Sequence, residues 1–110
     1  MSRRPGALAL VLHSHMPYVE GFGTWPFGEE WLWEAVASVY VPLLDVIDGH
    51  PVTLGLTPVL CDQLEAMRGT AGNRYRSFLT DIRAPIHEED ARYLEHDLAA
   101  EVRRAAADYA

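Results

Sequence analysis

The sequence predicts an α/β fold in which two parallel strands come first and helices follow. Two short apolar runs, ALALVL at 7–12 and VTLGLT at 52–57, are typical of strands covered on both faces. A stretch with apolar residues at helical spacing separates the two runs, and the rest of the chain shows helical spacing only. Strand, helix, strand, helix is the repeating unit of an α/β barrel or of a doubly wound sheet.

The predicted elements, in chain order, are a strand at about 7–13, a helix at about 29–48, a strand at about 52–57, and helices at about 58–68, 73–83 and 86–109. Thr57 can cap the helix that begins at Pro58, because threonine is a common N-cap and proline suits the first helical position. Pro42 and Pro85 lack an amide hydrogen, so we expect a kink or a break at Pro42 and a new helix after Pro85.

The predicted sheet is small for an independent domain. Two parallel strands leave two unpaired edges, whereas stable sheets usually carry about four to six strands. The last helical pattern also runs to Ala110 without a stop signal. We therefore expect the chain to be the front part of a larger domain.

Charge and composition limit the classes of partner. The formal net charge is -7, and the nine Lys and Arg residues form no stripe, which argues against a nucleic-acid groove or a membrane surface and favours a neutral substrate. No stretch approaches the roughly 20 apolar residues that span a bilayer. The apolar run after SRRP is short and lacks an A-x-A-like cleavage site, so we interpret the protein as cytoplasmic.

A histidine pair follows the first predicted strand, in the stretch HSHMPY at 13–18. Alternate strand residues point the same way, so His13 and His15 can reach one ligand from positions about 6.6 Å apart along the strand. Three interpretations stay open. The imidazoles could bind sugar hydroxyls or a catalytic carboxylate, they could form half of a metal site, or they could be ordinary polar residues at a strand end.

Further metal ligands are scarce in this sequence. His87 and His96 are nine residues apart on one predicted helix, which places them on opposite sides of it. No HExxH or CxxC motif occurs. We predict no metal ligands and no cofactor within the chain, although ligands could lie beyond residue 110.

Aromatic and acidic residues are concentrated behind the histidine pair. The aromatic residues of the loop at 16–28 and of the following helix start are Tyr18, Phe22, Trp25, Phe27, Trp31 and Trp33. Trp31 and Trp33 are about 200° apart on a helix, so they cannot both face the same core. Each ring alone is best explained by packing, but the group is a credible wall for sugar stacking. We interpret Glu29 and Glu30 as partners of the helix dipole.

The segments HSHMPYV, GTWPFGEEWLWEA, YVPLLD and GLTPVL resemble, in this order and spacing, the N-terminal part of glycoside hydrolase family 57, in particular its 1,4-α-glucan branching enzymes. The resemblance is dense from about Ala7 to Arg68. It implies an incomplete (β/α)7 barrel in which His13 and His15 line the subsite of bond cleavage and Trp25 forms a nearby wall. Met16 replaces the glutamine of the family's His-Gln-Pro signature, which fits the branching-enzyme subgroup.

The resemblance also implies a reaction. Members of the family cleave α-1,4-glucosidic bonds with retention, using a glutamate nucleophile and an aspartate acid/base, and branching enzymes transfer the chain to a 6-hydroxyl. Both carboxylates come from later regions of the family, so we expect them beyond residue 110 and expect this chain alone to be inactive. The implied partners are an α-glucan, such as amylose or a glycogen-like polymer, and the remainder of the catalytic domain.

Two alternatives remain at this point. A metal-dependent hydrolase on a related barrel, of the deacetylase or α-mannosidase type, would use the histidines as ligands. A noncatalytic carbohydrate-binding module would use the aromatic loop.

Overall fold

The computed structural model describes residues 3–23, 28–94 and 96–110, apart from the side chain of Asp108. Over these residues it is an α/β fold with two parallel strands and four continuous helices, which confirms the predicted class. The elements are β1 (Leu10–Ser14), α1 (residues 30–47), β2 (Val52–Leu56), α2 (Pro58–Ala66), α3 (residues 70–93) and α4 (residues 96–109).

The two strands pair in parallel, from Leu10 opposite Val52 to Ser14 opposite Leu56. Because side chains alternate along a strand, Leu10 and Leu12 share one face, and α1 borders that face across an apolar groove. The opposite face carries His13. β1 begins three residues later than predicted, since residues 7–9 have no strand opposite them in the described part of the chain.

Both prolines lie inside continuous helices, so the predicted break at Pro85 is wrong. A π-helical segment precedes each proline: Val36–Tyr40 in α1 before Pro42, and Phe78–Arg83 in α3 before Pro85. A proline ring clashes with the carbonyl four residues earlier in a regular α-helix, and the wider π turn relieves that clash. The helix therefore accommodates each proline and continues.

The real break between the last two helices lies at Leu94. This residue is extended, with φ -87° and ψ 153°, directly after α3 ends at Tyr93. The helix predicted over 86–109 is therefore the end of α3 followed by α4. His87 and His96 consequently lie on two different helices, which corrects the placement on one helix that the sequence suggested.

The start of α2 agrees with the sequence except in its cap. Pro58 is the first helical residue, and Thr57 before it is extended with φ -76° and ψ 149°. The Thr57 hydroxyl is buried, however, and makes no hydrogen bond within the described residues. The Thr57 backbone holds this junction instead, because its N–H donates to the Ser14 carbonyl at 3.3 Å and its carbonyl accepts from the Cys61 N–H at 3.0 Å.

The main core forms where the segment after β1 meets α1 and α2. Its buried members are Val19, Leu32, Val36 and Leu60, with Met16, Tyr40, Leu64, Met67 and Tyr75 packed around them. The Trp33 ring lies 5.2 Å from the Phe78 ring, and this contact joins α1 to α3. Trp33 is buried while Trp31 is exposed, which confirms that the two indoles do not share a core.

The molecule is elongated. Its principal extents are 63 × 39 × 22 Å, and its radius of gyration is 17.9 Å, whereas a compact domain of this length has about 13 Å. Apolar residues such as Leu8, which precedes β1, and Val11, within β1, are correspondingly exposed. Among the described residues, no helix combines the length and the apolar character that a membrane crossing requires.

A polar cluster fastens α4 to α1 and α3. The Tyr109 hydroxyl donates to the Glu34 carboxylate, and Arg83 Nε lies 3.0 Å from Glu34 Oε1. The Arg83 guanidinium lies 5.1 Å from the centre of the Tyr109 ring, on which His87 packs edge-on at 4.9 Å. Partial burial lowers the pKa of His87 below its ordinary value of 6.5, and the nearby Arg83 lowers it further.

The lowered pKa of His87 predicts an acid-sensitive contribution to stability. The unfolded chain binds the proton more tightly than the folded chain, so the free energy of unfolding falls as the pH drops below about 6.5. We expect His87→Gln to lose less stability than the wild type between pH 7 and pH 5 in urea unfolding. His50→Gln, at an exposed turn, is the control. Equal acid losses in both variants and the wild type would contradict this assignment.

Gly72 provides a second test of the packing. It is buried in the first turn of α3, and a Cβ atom there would overlap the backbone carbonyl of Met67. Alanine gains up to about 1 kcal/mol of helix propensity over glycine, but overpacking against fixed backbone costs about 1–3 kcal/mol or more. We expect Gly72→Ala to reduce the free energy of unfolding. Gly6→Ala, which has open space around it, should be neutral.

Candidate functional site

The two predicted histidines lie together at the carboxyl end of β1. His13 is in the strand and His15 is one residue beyond it, and both side chains are exposed. Their ring centroids are 5.6 Å apart with the ring planes tilted by 32°. Two imidazoles at this separation offer four ring nitrogens to one ligand, as hydrogen-bond donors or acceptors.

Gly55 makes room for the first histidine. It lies opposite His13 in the sheet, and a Cβ atom at Gly55 would be only 3.3 Å from His13 Nδ1. Any larger side chain at position 55 would therefore push against the imidazole. Sequence reasoning missed this residue, because the pairing register that places it beside His13 is known only from the structure.

A buried glutamine of α2 holds the segment that follows the histidine pair. Gln63 is 1% exposed. Its Oε1 accepts from the N–H groups of Val19 at 2.8 Å and Glu20 at 3.3 Å. Its Nε2 donates to the carbonyls of Pro17 at 3.0 Å and Val59 at 3.3 Å. One amide group thus fixes the backbone from two to five residues beyond His15.

A signal for Gln63 does exist in the sequence. The residue lies three positions after Leu60, on the apolar side of α2, where a polar side chain must find internal partners. The pattern indicates a buried amide, but it gives no indication of which backbone groups the amide binds.

Glu29 holds the far end of the loop through a contact that the sequence interpretation did not include. Glu29 is buried, and its carboxylate accepts hydrogen bonds from two nitrogens of Arg74 of α3: from Nη2 at 2.6 Å, and from Nε, which is shared between the two oxygens at 3.0 and 3.2 Å. The Glu29 N–H also donates to the Gly23 carbonyl at 2.7 Å. Glu29 is therefore a partner of Arg74 rather than only of the helix dipole. The hydrogen bond from Arg74 to Glu29 raises the pKa of the guanidinium.

The structure describes only some of the aromatic residues of the loop at 16–28. Trp25, the predicted wall of the site, and Phe27 lie outside the described residues. Tyr18 and Phe22 are described and are exposed by 58% and 69%. Their ring centroids lie 6.1 Å apart at an angle of 85°, an edge-to-face contact.

The described residues do not supply a metal centre around the histidine pair. Over residues 3–23, 28–94 and 96–110, no group of three or more His, Cys, Asp and Glu side chains is arranged to hold an ion. The metal-dependent hydrolase alternative therefore gains no support from this part of the chain.

The fold and the site together define an α/β protein with two exposed imidazoles at the carboxyl end of a parallel strand. That edge of a parallel sheet is where α/β proteins bind their ligands. The loop behind the imidazoles is held by two buried polar side chains, Gln63 and Glu29. The arrangement suits recognition of a neutral, hydroxyl-rich molecule.

Comparison with known proteins gives a more particular result. The chain is 44% identical over 68 residues to proteins named probable 1,4-alpha-glucan branching enzyme from two strains of Mycobacterium tuberculosis. It is also 44% identical over 66 residues to a protein named 1,4-alpha-glucan branching enzyme from Thermococcus kodakarensis. These alignments cover 56% and 54% of the chain, which spans only 13% and 10% of the relatives' lengths. No protein-family profile matches the chain.

The hydrogen bonds of Gln63 predict how the site responds to its loss. Gln63→Leu keeps the volume but leaves the buried N–H of Val19 without its partner, a cost of about 1–3 kcal/mol. We expect a lower free energy of unfolding and faster amide exchange at Val19 and Glu20. Asp62→Asn, at an exposed neighbouring position of α2, should change neither quantity. Unchanged exchange at Val19 in Gln63→Leu would show that other contacts hold this segment.

Proposed function

We propose that this chain is the N-terminal part of a 1,4-α-glucan branching enzyme of glycoside hydrolase family 57. The observation that carries the proposal is the 44% identity to proteins of that name in two distant organisms. The resemblance of HSHMPYV and GTWPFGEEWLWEA to that family supports it. We infer that His13 and His15 bind the glucan at the subsite of bond cleavage, with Trp25 as a nearby wall.

The chemistry of the pair suits this role. Neutral imidazoles both donate and accept hydrogen bonds, so two rings 5.6 Å apart can bind adjacent hydroxyls of one glucose unit. Hydrogen bonds of this kind do not require a charged ligand. A neutral ligand agrees with the net charge of -7 and with the absence of a basic stripe in the sequence. We assign the histidines to substrate binding and assign no catalytic residue to this chain.

The proposed reaction is a retaining transfer. A glutamate would attack the anomeric carbon and an aspartate would protonate the leaving oxygen, with the two carboxyl groups about 5 Å apart. A 6-hydroxyl of an acceptor chain, instead of water, then attacks the anomeric carbon of the glycosyl-enzyme and displaces the glutamate. This step forms an α-1,6 branch in a glycogen-like glucan. We place both carboxylates in the remainder of the catalytic domain, where the resemblance puts them.

The proposed (β/α)7 barrel would also account for the exposed strands. Within the described residues the sheet has two strands, and both Val11 and Leu56 are at least half exposed. Further parallel strands on either edge would pair the backbone groups of the sheet edges. The interior of the closed barrel and the helices around it would cover side chains on the two faces. The cytoplasmic location stays a prediction.

Replacing either histidine tests this proposal. In the full-length protein we expect His13→Ala and His15→Ala to lower the branching turnover by on the order of 10²-fold, the usual cost of losing a hydrogen bond that stabilises a transition state. The measurement is the number of α-1,6 linkages formed from amylose. His50→Ala, at an exposed turn remote in sequence, is the control.

Two results would count against the assignment. Unchanged turnover in both folded variants would remove the histidines from the site. A stoichiometric metal ion whose removal abolishes activity would favour the metal-dependent hydrolase instead.

A further inference from the structure

We propose that Tyr18 and Phe22 form a second glucan-binding surface beside the histidine pair. This aromatic corner (Tyr18 and Phe22) would stack on a glucose unit of the same chain, away from the bond that reacts. The inference rests on the proposed function, because it takes α-glucan as the ligand.

The geometry of the corner suits a sugar ring. The two rings meet edge to face, with centroids 6.1 Å apart and planes at 85°, so they present two apolar surfaces at a right angle. One side of a pyranose is lined by C–H groups, which pack on an aromatic face while the hydroxyls remain in water. Both rings are more than half exposed.

Packing does not explain the exposure of these rings. Val19, between them in sequence, is the residue that enters the core, and Gln63 binds the backbone on both sides of Tyr18. The loop is therefore anchored without either ring. Exposed apolar patches on a protein often mark a binding surface, and we assign these two rings in mutual contact to such a surface.

The local backbone holds the corner in place. The Phe22 N–H donates to the Val19 carbonyl at 3.1 Å, which closes a turn between the two rings. Gly21 and Gly23, on either side of Phe22, have φ angles of 80° and 82°, a left-handed conformation that favours glycine. A ring on a fixed turn loses little freedom on binding, and this lowers the entropic cost of recognition.

The position of the corner allows one ligand to reach both sites. Tyr18 is three positions after His15, so their Cα atoms lie within roughly 11 Å of each other. Between residues 13 and 23 the only carboxylate is Glu20, and there is no Lys or Arg. A neutral chain of several sugars meets these requirements better than an ionic ligand does.

The test uses the full-length protein and maltoheptaose as the probe. We expect Tyr18→Ala and Phe22→Ala each to weaken maltoheptaose binding by about fivefold or more in calorimetry, the usual size of one aromatic contact. The same variants should raise KM for amylose and leave kcat at saturation unchanged. Tyr93→Ala, which removes an exposed ring from α3, is the matched control.

Leucine variants separate stacking from packing. Tyr18→Leu and Phe22→Leu keep apolar bulk but lack a flat face, so they should fold and still bind maltoheptaose weakly. Wild-type affinity in both leucine variants would overturn the proposal. If His13→Ala lowers kcat while the aromatic variants bind normally, the corner is refuted and the proposed function stands. If no variant at either site affects glucan binding or turnover, the aromatic corner and the proposed function are both refuted.

Discussion

The four hydrogen bonds of the Gln63 side-chain amide are the constraint on which the rest of the site depends. Three of them join the segment after β1 to α2 across more than 40 residues of sequence, and the fourth goes to Val59 within α2. Because the amide is fully buried, each of its bonds forms without competition from water, and losing one leaves a buried group unpaired. The Val19 side chain packs in the core, and the bond to Gln63 satisfies its buried N–H. The direction of the chain beyond His15 follows from this contact.

A second polar contact, between Glu29 and Arg74, holds the end of the loop whose start is held by Gln63. The Glu29 carboxylate binds Arg74, while its N–H binds the Gly23 carbonyl, so the end of the described loop, the start of α1 and the start of α3 meet at one residue. Glu29 is buried whereas the Arg74 side chain is 43% exposed, so desolvation of the carboxylate offsets part of the attraction. Gln63 and Glu29 thus orient a loop whose glycines alone would leave it free.

Local patterns in the sequence predicted the strands and helices. Contacts between residues distant in sequence could be identified only from the structure. Apolar spacing located both strands and α1, and the 200° offset separated Trp31 from Trp33 correctly. Pro85 was misjudged because a π turn inside α3 removes the clash that ordinarily ends a helix. The ion pair of Glu29 was missed because its partner Arg74 is 45 residues away. A dipole argument uses only neighbouring residues and cannot find such a pair.

The structure separates what the chain holds in place by itself from what it leaves exposed. His13 lies in β1 beside Gly55 of β2, and Gln63 of α2 holds the backbone that follows the histidine pair, whereas Val11, on the same face of the sheet as His13, is exposed. Under the proposed function, this chain holds the substrate-binding groups, and the remainder of the catalytic domain supplies the carboxylates. Catalysis then requires those carboxylates to be placed against a fixed surface, which lowers the cost of orienting the substrate.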